Sequence, residues 1–405
     1  MPEAVIVSAA RTPIGRANKG SLKDFRPDDL SAFAIQAALD KIPALDPTTI
    51  EDLYLGCGLP GGESGNNMAR IVTTLLGLEV PGATTTRYCA SSVQTTRMAF
   101  HAIKAGEGDI FVSAGVETVS RFAKGTSDHW PDTKNPKFAD AQVRTDEAAK
   151  GGGGAWHDPR EDGLLPDIYI AMGQTAENVA TLRGLRREEL DEFGVRSQNL
   201  AEKAINDGFW AREITPVTLP DGTVVSTDDG PRAGVTYDAL SQLQPVFRPD
   251  GVVTAGNCCA LNDGAAAVVI MSDTKAAELG LTPLARIVST GVSGLSPEIM
   301  GLGPVEATKN ALKHAGMSIG DIDLVEINEA FAAQVVPSYQ DLGIDIDRLN
   351  VNGGAIAVGH PFGMTGARLQ NTMLNSLDWH DKTTGLITMC VGGGQGMALI
   401  LERLS

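Results

Sequence analysis

Short apolar runs alternate with segments of helical periodicity over the first 117 residues of the chain. The runs end at glycine, proline or polar clusters, which is typical of strands that are separated by helices. Alternation of this kind predicts an α/β layered fold. The predicted strands are Ala4–Ser8, Asp52–Cys57, Thr84–Arg87 and Ile110–Gly115, and the predicted helices are Asp28–Lys41, Asn66–Leu76 and Ser91–Ala105.

The alternation stops between residues 118 and 249 and resumes after Gly251. The intervening segment is rich in Gly, Asp and Pro, and it holds two predicted helices, Met172–Arg183 and Arg187–Asp207. A structureless loop of this length is improbable in a compact protein, so we expect a folded lid domain that covers a site. Beyond it, the predicted strands are Ala265–Ser272, Leu284–Thr290, Asp323–Ile327 and Met397–Glu402, and the predicted helices are Val305–Ala315 and Ala330–Leu342.

The second half of the chain repeats the pattern of the first. Similar residues surround Leu53 and Leu324, which are 271 positions apart, and the same offset carries Cys89 to His360. Each of these two residues directly precedes a predicted helix, Ser91–Ala105 or Thr365–Leu377. The similarity could arise by chance, but a true duplication would bring the two helix N-termini together around a pseudo-twofold axis.

The run Val351–Gly396 combines a sheet-like pattern with residues that packing alone does not demand. Glycines flank His360, and Cys390 ends an apolar strand at a second glycine cluster. Glycine allows backbone to approach a ligand closely, which indicates a site for acid/base chemistry. Taken singly, each residue also fits a plainer interpretation as a buried histidine or a core cysteine beside a tight turn.

Composition narrows the class of protein. The 405 residues are 42% hydrophobic and 20% charged, and the formal net charge of −17 argues against a nucleic-acid-binding surface. No apolar window approaches the eighteen or so residues that a membrane span needs. The five cysteines contain no Cys-x-x-Cys motif, so we expect an untargeted, soluble protein with free thiols in the reducing cytoplasm.

Three residues could carry acyl transfer between two thiol partners. Cys89 lies at a predicted helix N-terminus, where the helix dipole is expected to lower the pKa of a thiol. His360 can accept a proton from a thiol or donate a hydrogen bond to a developing oxyanion. Cys390 offers a second thiol, with a pKa within reach of neutrality, that can shuttle a proton.

Other polar and glycine-rich positions carry weaker signals. Asn328 follows a predicted strand, where it could bind a ligand or cap the next helix. Gly56–Gly61 matches G-x-G-x-x-G, but no helix opens on its third glycine as a dinucleotide site requires. The adjacent pair Cys258 and Cys259 is predicted to be buried or cofactor-facing. His129 and His157 are interpreted as surface histidines.

Four separated motifs resemble those of the thiolases, or acetyl-CoA acyltransferases, and the resemblance runs from Val5 to Glu402. It implies two repeated βαβαβαββ halves packed in a five-layered α-β-α-β-α body with an inserted loop domain. The implied boundaries are residues 1–117 and 250–272 for the N-terminal half, 118–249 for the loop domain and 273–405 for the C-terminal half. The motifs are Cys89-Ala-Ser-Ser, Asn328-Glu-Ala-Phe-Ala, the glycine-rich run from Gly353 through His360 to Arg368, and Cys390-x-Gly-Gly-Gly.

The resemblance also implies roles for individual residues. Cys89 would be the acylated nucleophile and His360 its activator, with Cys390 as the second acid/base. Asn328 would hold a water that completes one oxyanion hole with His360, and the backbone N–H groups of Cys89 and Gly392 would form the other. No metal and no bound cofactor are expected, because coenzyme A is a co-substrate. The residues expected to contact CoA or substrate are Met172, Arg232, Cys259, Met300 and Phe331.

The expected activity is thiolytic cleavage of 3-ketoacyl-CoA by CoA. Two positions depart from biosynthetic acetoacetyl-CoA thiolases, namely Ala171 in place of a histidine and Cys259 in place of a serine. They favour a degradative β-oxidation enzyme. Biosynthetic thiolase, a condensing ketoacyl synthase and a non-catalytic acyl-CoA-binding protein are the alternatives, and Cys390 argues against the synthase. A homodimer or homotetramer is implied, with a hydratase/dehydrogenase subunit as a further partner.

Overall fold

The structure is a computed structural model that describes residues 2–124 and 133–405. In the N-terminal half every predicted strand and helix is present. Helix α1 begins with Pro27 and carries two aspartates in its first turn, and α3 ends at Gly106, whose φ of 75° closes the helix. The elements are β1 (Ala4–Arg11), β2 (Gly15–Arg16), α1 (Pro27–Leu39), β3 (Asp52–Cys57), α2 (Met68–Leu75), β4 (Gly82–Thr85), α3 (Ser91–Ala105) and β5 (Ile110–Thr118).

The predicted helices of the loop segment are also present, together with two that the sequence pattern missed, Ala139–Ala148 and Tyr237–Ser241. The segment contains α4 (Ala139–Ala148), α5 (Met172–Arg183), α6 (Arg187–Asn206), β6 (Val217–Thr218), β7 (Val224–Val225) and α7 (Tyr237–Ser241). Then follow β8 (Asn262–Ser272), α8 (Asp273–Glu278), β9 (Ala285–Gly294), α9 (Gly303–Ala315), β10 (Leu324–Ile327), α10 (Ala332–Leu342), α11 (Ala355–Val358), α12 (Phe362–Trp379), β11 (Thr384–Val391) and β12 (Gln395–Arg403).

The large sheet has mirrored strand orders on either side of its centre. Its order is β10-β11-β12-β9-β1-β8-β5-β3-β4, with β2 paired to β8, and β1 meets β9 through only a short antiparallel contact. Outward from that contact, β9 corresponds to β1, β12 to β8, β11 to β5 and β10 to β3, with parallel pairing only in the outer strands. This symmetry is what the predicted duplication requires.

Three apolar cores separate the layers. One core packs α1 and α2 against the N-terminal strands, the second surrounds α3 and α12 between the two halves of the sheet, and the third packs α9 and α10 against the C-terminal strands. The layers therefore run helix, sheet, helix, sheet, helix, and the predicted five-layered α-β-α-β-α arrangement is confirmed.

The two central helices meet at their N-terminal ends. The backbone N–H of Ala367 on α12 donates to Ser92 Oγ on α3 at 2.9 Å. Gly366 permits this approach, since a Cβ there would lie 2.6 Å from Cγ2 of Val93. The residues that immediately precede α3 and α12, Cys89 and His360 among them, are thereby brought to one region of the molecule, as the duplication predicted.

One further detail differs from the sequence-based expectations. The sheet-like pattern at Val351–Val358 was misleading: this stretch forms a turn and the short helix α11, because its apolar residues are buried all round rather than on alternate faces.

The exact division into two halves and a loop domain stays a prediction. In the described part of the chain, no helix is long and apolar enough to cross a membrane.

Candidate active site

Cys89 lies in a single 3₁₀ turn, Tyr88–Ala90, between β4 and α3. The Ser91 hydroxyl holds this turn, because it accepts from the Arg87 N–H at 2.9 Å and donates to the Tyr88 carbonyl at 2.6 Å. Tyr88 has a φ of 42°, an uncommon conformation for a bulky residue and a mark of functional strain. The turn packs against β11 and the start of α12.

The Cys89 thiol is neutral in this setting. Burial raises its pKa to about 12, although the N–H of Gly392 donates a hydrogen bond to the sulfur and opposes the shift. The sequence-based expectation of a lowered pKa at the helix N-terminus is therefore wrong, because the desolvation of a buried thiolate outweighs the favourable donors. Cys89 needs a base before it can act as a nucleophile.

His360 is held by contacts to its backbone and to its ring. Its N–H donates to Asn262 Oδ1 at 2.9 Å, and ring Nδ1 lies 2.6 Å from the hydroxyl of Thr365. Gly359, which precedes it, has a φ of 111°. Burial lowers the pKa of His360 to about 3, and the positive charge of Arg368 adds to the shift. The imidazole is neutral near pH 7, as either proposed role requires.

Cys390 and Gly392 lie at the carboxyl end of β11 and in the turn that follows it. Burial raises the pKa of the Cys390 thiol well above its ordinary value, and Cys89 contributes to the shift. The expectation of a pKa near neutrality is thus wrong for the same reason as at Cys89. A buried thiol can still donate a proton to a carbanion and recover it from another thiol.

Asn328 directly follows β10, as predicted, and it does not cap the next helix, whose N-cap is Phe331. Its Nδ2 lies 3.3 Å from Nε2 of His360. Its Oδ1 is buried and has no hydrogen-bond partner among the described residues. A buried amide oxygen of this kind is an expected site for a water or a ligand atom.

Cys259 links the two sides of the site. The pKa of its thiol is raised by burial and by the nearby thiols of Cys258, Cys89 and Cys390. It also lines a cavity of about 180 Å³ together with Gly359, which adjoins His360. Arg232 and Arg16 line the same cavity. The cavity therefore leads from two arginines toward the reactive residues.

The remaining predicted contact residues differ in position. Met172 begins α5 and approaches Gly392, where a Cβ would lie 3.6 Å from its sulfur. Phe331 pairs with Cys258 in an isolated β-bridge and packs edge-on against Phe247. Met300 is buried in the apolar core that also contains Phe331.

Some contacts that chemistry would need are not made directly in this structure. Within residues 2–124 and 133–405, no hydrogen bond joins Cys89 to His360 or to Cys390. Such contacts often tighten only when substrate is bound. A larger cavity, of about 570 Å³, lies in the loop segment beside Trp156 and Glu298 and includes none of the reactive residues. No group in the described residues has three side chains suited to a metal ion.

Three residues near the site were not recognised from the sequence. Thr365 contacts the His360 ring, and Tyr88 packs its ring over Gly392. Glu117, at the end of β5, accepts from the N–H groups of Gly58 and Gly363, both at 2.8 Å, and joins the two halves. Burial raises the pKa of Glu117 to about 7. Thr365 belongs to the His360 motif, whereas no local pattern marks Glu117.

The other weak signals have plain explanations. The helix after Gly56–Gly61 begins only at Met68, so the arrangement is not a dinucleotide site. His157 is exposed beside Glu161 and Asp162, as a surface histidine should be, and His129 lies outside the described residues. All five cysteines are free thiols.

The mirrored five-layer fold, with two thiols and an imidazole gathered at its centre, defines an acyltransferase of the thiolase type. The chain belongs to the thiolase family: the family model described as "Thiolase, N-terminal domain" matches residues 4–274, and "Thiolase, C-terminal domain" matches residues 281–403. The resemblance read from the motifs is confirmed.

Particular relatives span the whole chain. A 3-ketoacyl-CoA thiolase of Bacillus subtilis (strain 168) is 41% identical over 99% of this chain and 100% of its own length. A 3-oxoadipyl-CoA/3-oxo-5,6-dehydrosuberyl-CoA thiolase of Escherichia coli (strain K12) is 43% identical over the full length of both. The crystal structure of the Bacillus anthracis acetyl-CoA acetyltransferase superposes with a TM-score of 0.86 at 37% identity, over 100% of this chain and 99% of that one.

Proposed function

We propose that this protein cleaves 3-ketoacyl-CoA with CoA, giving acetyl-CoA and a shortened acyl-CoA through an acyl-Cys89 intermediate. The observation that carries the proposal is the meeting of two buried, neutral thiols, Cys89 and Cys390, in one site with a buried neutral imidazole, His360. Two thiols are what a reaction with two successive thiol-dependent half-reactions needs.

In the first half-reaction, Cys89 gives its proton to His360, and the thiolate attacks the 3-keto carbon of the substrate. The bond between carbons 2 and 3 then breaks, and its electron pair leaves as the enolate of acetyl-CoA. Cys390 protonates that enolate at carbon, so acetyl-CoA departs and the shortened acyl group remains on Cys89 as a thioester.

In the second half-reaction, the Cys390 thiolate takes the proton of an incoming CoA thiol. The CoA thiolate attacks the acyl carbon, and Cys89 leaves as a thiolate that recovers its proton from His360. The sequence of steps is reversible, and in reverse it is a Claisen condensation. The kinetics should be ping-pong, because the first product leaves before CoA reacts.

Two sets of donors stabilise the oxygen anions. The N–H of Gly392 already donates to the Cys89 sulfur, so with the N–H of Cys89 it is placed to bind an oxyanion beside that sulfur. The other set is His360 with a water held by Asn328, whose buried Oδ1 has no partner in the described residues. Donors fixed in a dry site stabilise charge without reorganisation.

We assign CoA to the cavity of about 180 Å³ that contains Arg232 and Cys259. Its two arginines supply positive charge for the phosphates of CoA in a chain whose net charge is −17. Met172 and Phe331, near Gly392 and Cys258, are assigned to the thioester side of the substrate, and Met300 supports them from the core.

Degradation of chains longer than acetoacetyl is favoured by two residues. Biosynthetic thiolases have a histidine at the position that Ala171 occupies before Met172. Cys259 likewise takes the place of a serine. We expect kcat/KM for thiolysis to be higher for 3-ketooctanoyl-CoA than for acetoacetyl-CoA. Purified enzyme should be assayed across chain lengths with Cys89→Ala as the inactive control. A clear preference for acetoacetyl-CoA would instead identify the biosynthetic alternative.

The acyl intermediate can be trapped by omitting CoA. Enzyme should be incubated with 3-ketooctanoyl-CoA and quenched in acid. The Cys89 peptide should then be heavier by a hexanoyl group, the six-carbon acyl group that remains after acetyl-CoA leaves. Cys390→Ala serves as the matched thiol variant. Acylation of a different residue would overturn the role of Cys89, and substrate binding without turnover would favour the non-catalytic alternative.

The wider context is part of the same proposal. Residues 1–117 with 250–272, residues 118–249 and residues 273–405 are proposed as the N-terminal half, the loop domain and the C-terminal half. We also propose a β-oxidation role, a cytoplasmic location, a homodimer or homotetramer, and a hydratase/dehydrogenase subunit as a partner. Size-exclusion chromatography with light scattering would establish the oligomer.

A further inference from the structure

The two ring nitrogens of His360 have different neighbours. Nδ1 lies 2.6 Å from Thr365 Oγ1, whereas the side-chain amide nitrogen of Asn328 lies 3.3 Å from Nε2 and 3.5 Å from Nδ1. Both neighbours are buried, Thr365 completely and Asn328 to within 1%. A neutral imidazole carries one N–H and one lone pair, so the short contact of Thr365 with Nδ1 alone decides which nitrogen holds the proton.

The Thr365 hydroxyl has one hydrogen and two partners. Besides Nδ1, Oγ1 lies 2.7 Å from the carbonyl oxygen of Pro361, one turn earlier in α12. A carbonyl can only accept, so the hydroxyl donates its hydrogen to Pro361. Its oxygen is then left to accept a hydrogen bond, and the partner at 2.6 Å must be an N–H on Nδ1.

Asn328 does not select between the two tautomers. Its amide nitrogen lies 3.3 Å from Nε2 and 3.5 Å from Nδ1, so it is nearly equidistant from the two ring nitrogens. The assignment therefore rests on Thr365, whose hydroxyl makes the short contact with Nδ1 and is committed as a donor to Pro361.

We propose that Thr365 is a positioning residue that fixes His360 in the tautomer protonated on Nδ1 and so reserves the Nε2 lone pair for the proton of Cys89. The inference rests on the function proposed above for His360. Thr365 does not touch the substrate in this account. It determines which nitrogen can accept a proton, whereas the wrong tautomer would present an N–H toward the thiol.

The contact between Thr365 and Nδ1 also stabilises the ring after proton transfer. When the Cys89 S–H bond breaks and a new N–H bond forms on Nε2, the ring becomes a cation with hydrogens on both nitrogens. Thr365 continues to accept from Nδ1, and the new Nε2–H is free to bind the oxygen of the substrate. The contact opposes Arg368 on the same helix, whose buried positive charge disfavours an imidazolium.

Among the residues that the structure describes, Arg368 is the only charged group that contributes to the pKa shift of His360. Arg368 is fully buried, and its three guanidinium nitrogens have no hydrogen-bond partner among the described residues, so its charge is not cancelled by a direct ion pair. The hydroxyl of Thr365 therefore supplies a neutral acceptor at the point where a cation must form briefly.

The spectroscopic test uses enzyme labelled with ¹⁵N-histidine. The chain has six histidines, and the His360 signals are identified by their loss in His360→Asn. The wild-type enzyme should show a protonated Nδ1 and an unprotonated Nε2 at pH 7. Thr365→Val should give a mixture of tautomers, and Thr365→Ser should restore the wild-type pattern. A wild-type ring protonated on Nε2 would overturn the proposal without any assay of activity.

The kinetic test separates chemistry from binding. Thr365→Val should lower kcat for thiolysis, and the rate at which iodoacetamide alkylates Cys89, about ten- to a hundredfold with KM for CoA nearly unchanged. Thr365→Ser should recover most of both rates. The matched control is Thr372→Val, which removes another buried hydroxyl of α12 that donates to Glu213 at 3.2 Å, and it should leave both rates unchanged.

The results distinguish this inference from the proposed function. Wild-type rates in Thr365→Val would overturn the positioning role while leaving acyl transfer intact. An equal loss in Thr372→Val would show a general effect of losing a buried hydroxyl and would likewise overturn it. Full activity in His360→Asn would instead contradict the function proposed for His360, whatever the tautomer of the ring.

Discussion

The turns that carry Cys89 and His360 occupy equivalent positions in the two halves and share an unusual backbone. The residue before each has positive φ, 42° at Tyr88 and 111° at Gly359, and a helix begins two residues after each reactive side chain. The duplicated backbone therefore presents one side chain from each half at the start of a central helix. The comparison teaches that one scaffold is used twice, with a cysteine on one copy and a histidine on the other.

Burial acts on the two reactive groups in opposite directions but with the same result. It raises the pKa of the Cys89 thiol to about 12 and lowers the pKa of the His360 imidazole to about 3. Both groups are neutral near pH 7, because desolvation penalises whichever form is charged. In the proposed mechanism the thiolate therefore forms only when the proton of Cys89 moves to His360.

The two turns differ in how they accommodate their positive φ. At Gly359 a Cβ would lie 2.7 Å from Cγ2 of Ile14, so only glycine fits. At Tyr88 there is room for a side chain, and the ring packs over Gly392, where a Cβ would be 3.4 Å from it. The turn before Cys89 therefore tolerates backbone strain and places the Tyr88 ring over Gly392. The turn before His360 has no space for a side chain at Gly359.

The largest expected effect comes from removing the two reactive side chains. Cys89→Ser and His360→Asn should each lower kcat for thiolysis by about 10³- to 10⁴-fold, because the nucleophile and its base act as a unit. The double variant should be little worse than either single variant. Steady-state assays of all three proteins measure this, and losses that multiply would show that the two turns work independently.

A smaller effect should separate the two positive-φ residues. Gly359→Ala should lower the free energy of unfolding by about 2–4 kcal/mol, since it adds a steric clash to backbone strain. Tyr88→Gly should change it by no more than about 1 kcal/mol, because relief of strain offsets the lost ring contact and the added chain entropy. Urea unfolding of both variants measures the two changes. Similar losses of unfolding free energy would show that the two turns do not differ in this way.

A further prediction concerns the pH dependence of stability and a buried carboxyl of β10. Burial raises the pKa of Glu326 from 4.5 to about 8, against the attraction of Arg368. Between those values the folded protein binds more protons than the unfolded chain, so stability falls as pH rises, with a slope of up to about 1.4 kcal/mol per pH unit.

Glu326→Gln should therefore flatten the dependence of stability on pH between about 5 and 8, whatever its effect at a single pH. Urea unfolding at several pH values measures the slope. Glu79→Gln is the control, because that side chain is 98% exposed and should leave the slope unchanged. An unchanged slope in Glu326→Gln would mean that the carboxyl is ionised in the folded protein.

Local pattern was a reliable guide where one periodicity dominated. The helices Ser91–Ala105 and Met172–Arg183 and the strand Asp52–Cys57 have the predicted bounds, because their apolar spacing, glycine punctuation and polar ends agree. It failed in the run that begins at Val351, where the apolar residues Ala355–Val358 fit a buried strand and a buried helical turn equally well. Tertiary packing against α6 selects the helical turn there.

The sequence by itself determined the family, the repeat and the candidate reactive residues, since motif chemistry and an offset of 271 positions are properties of the chain alone. Only the tertiary structure decided their protonation, because the pKa of a thiol or an imidazole depends on desolvation and on groups distant in sequence. The N–H of Gly392 on Cys89, the charge of Arg368 near His360 and the apposition of α3 with α12 all arise from folding.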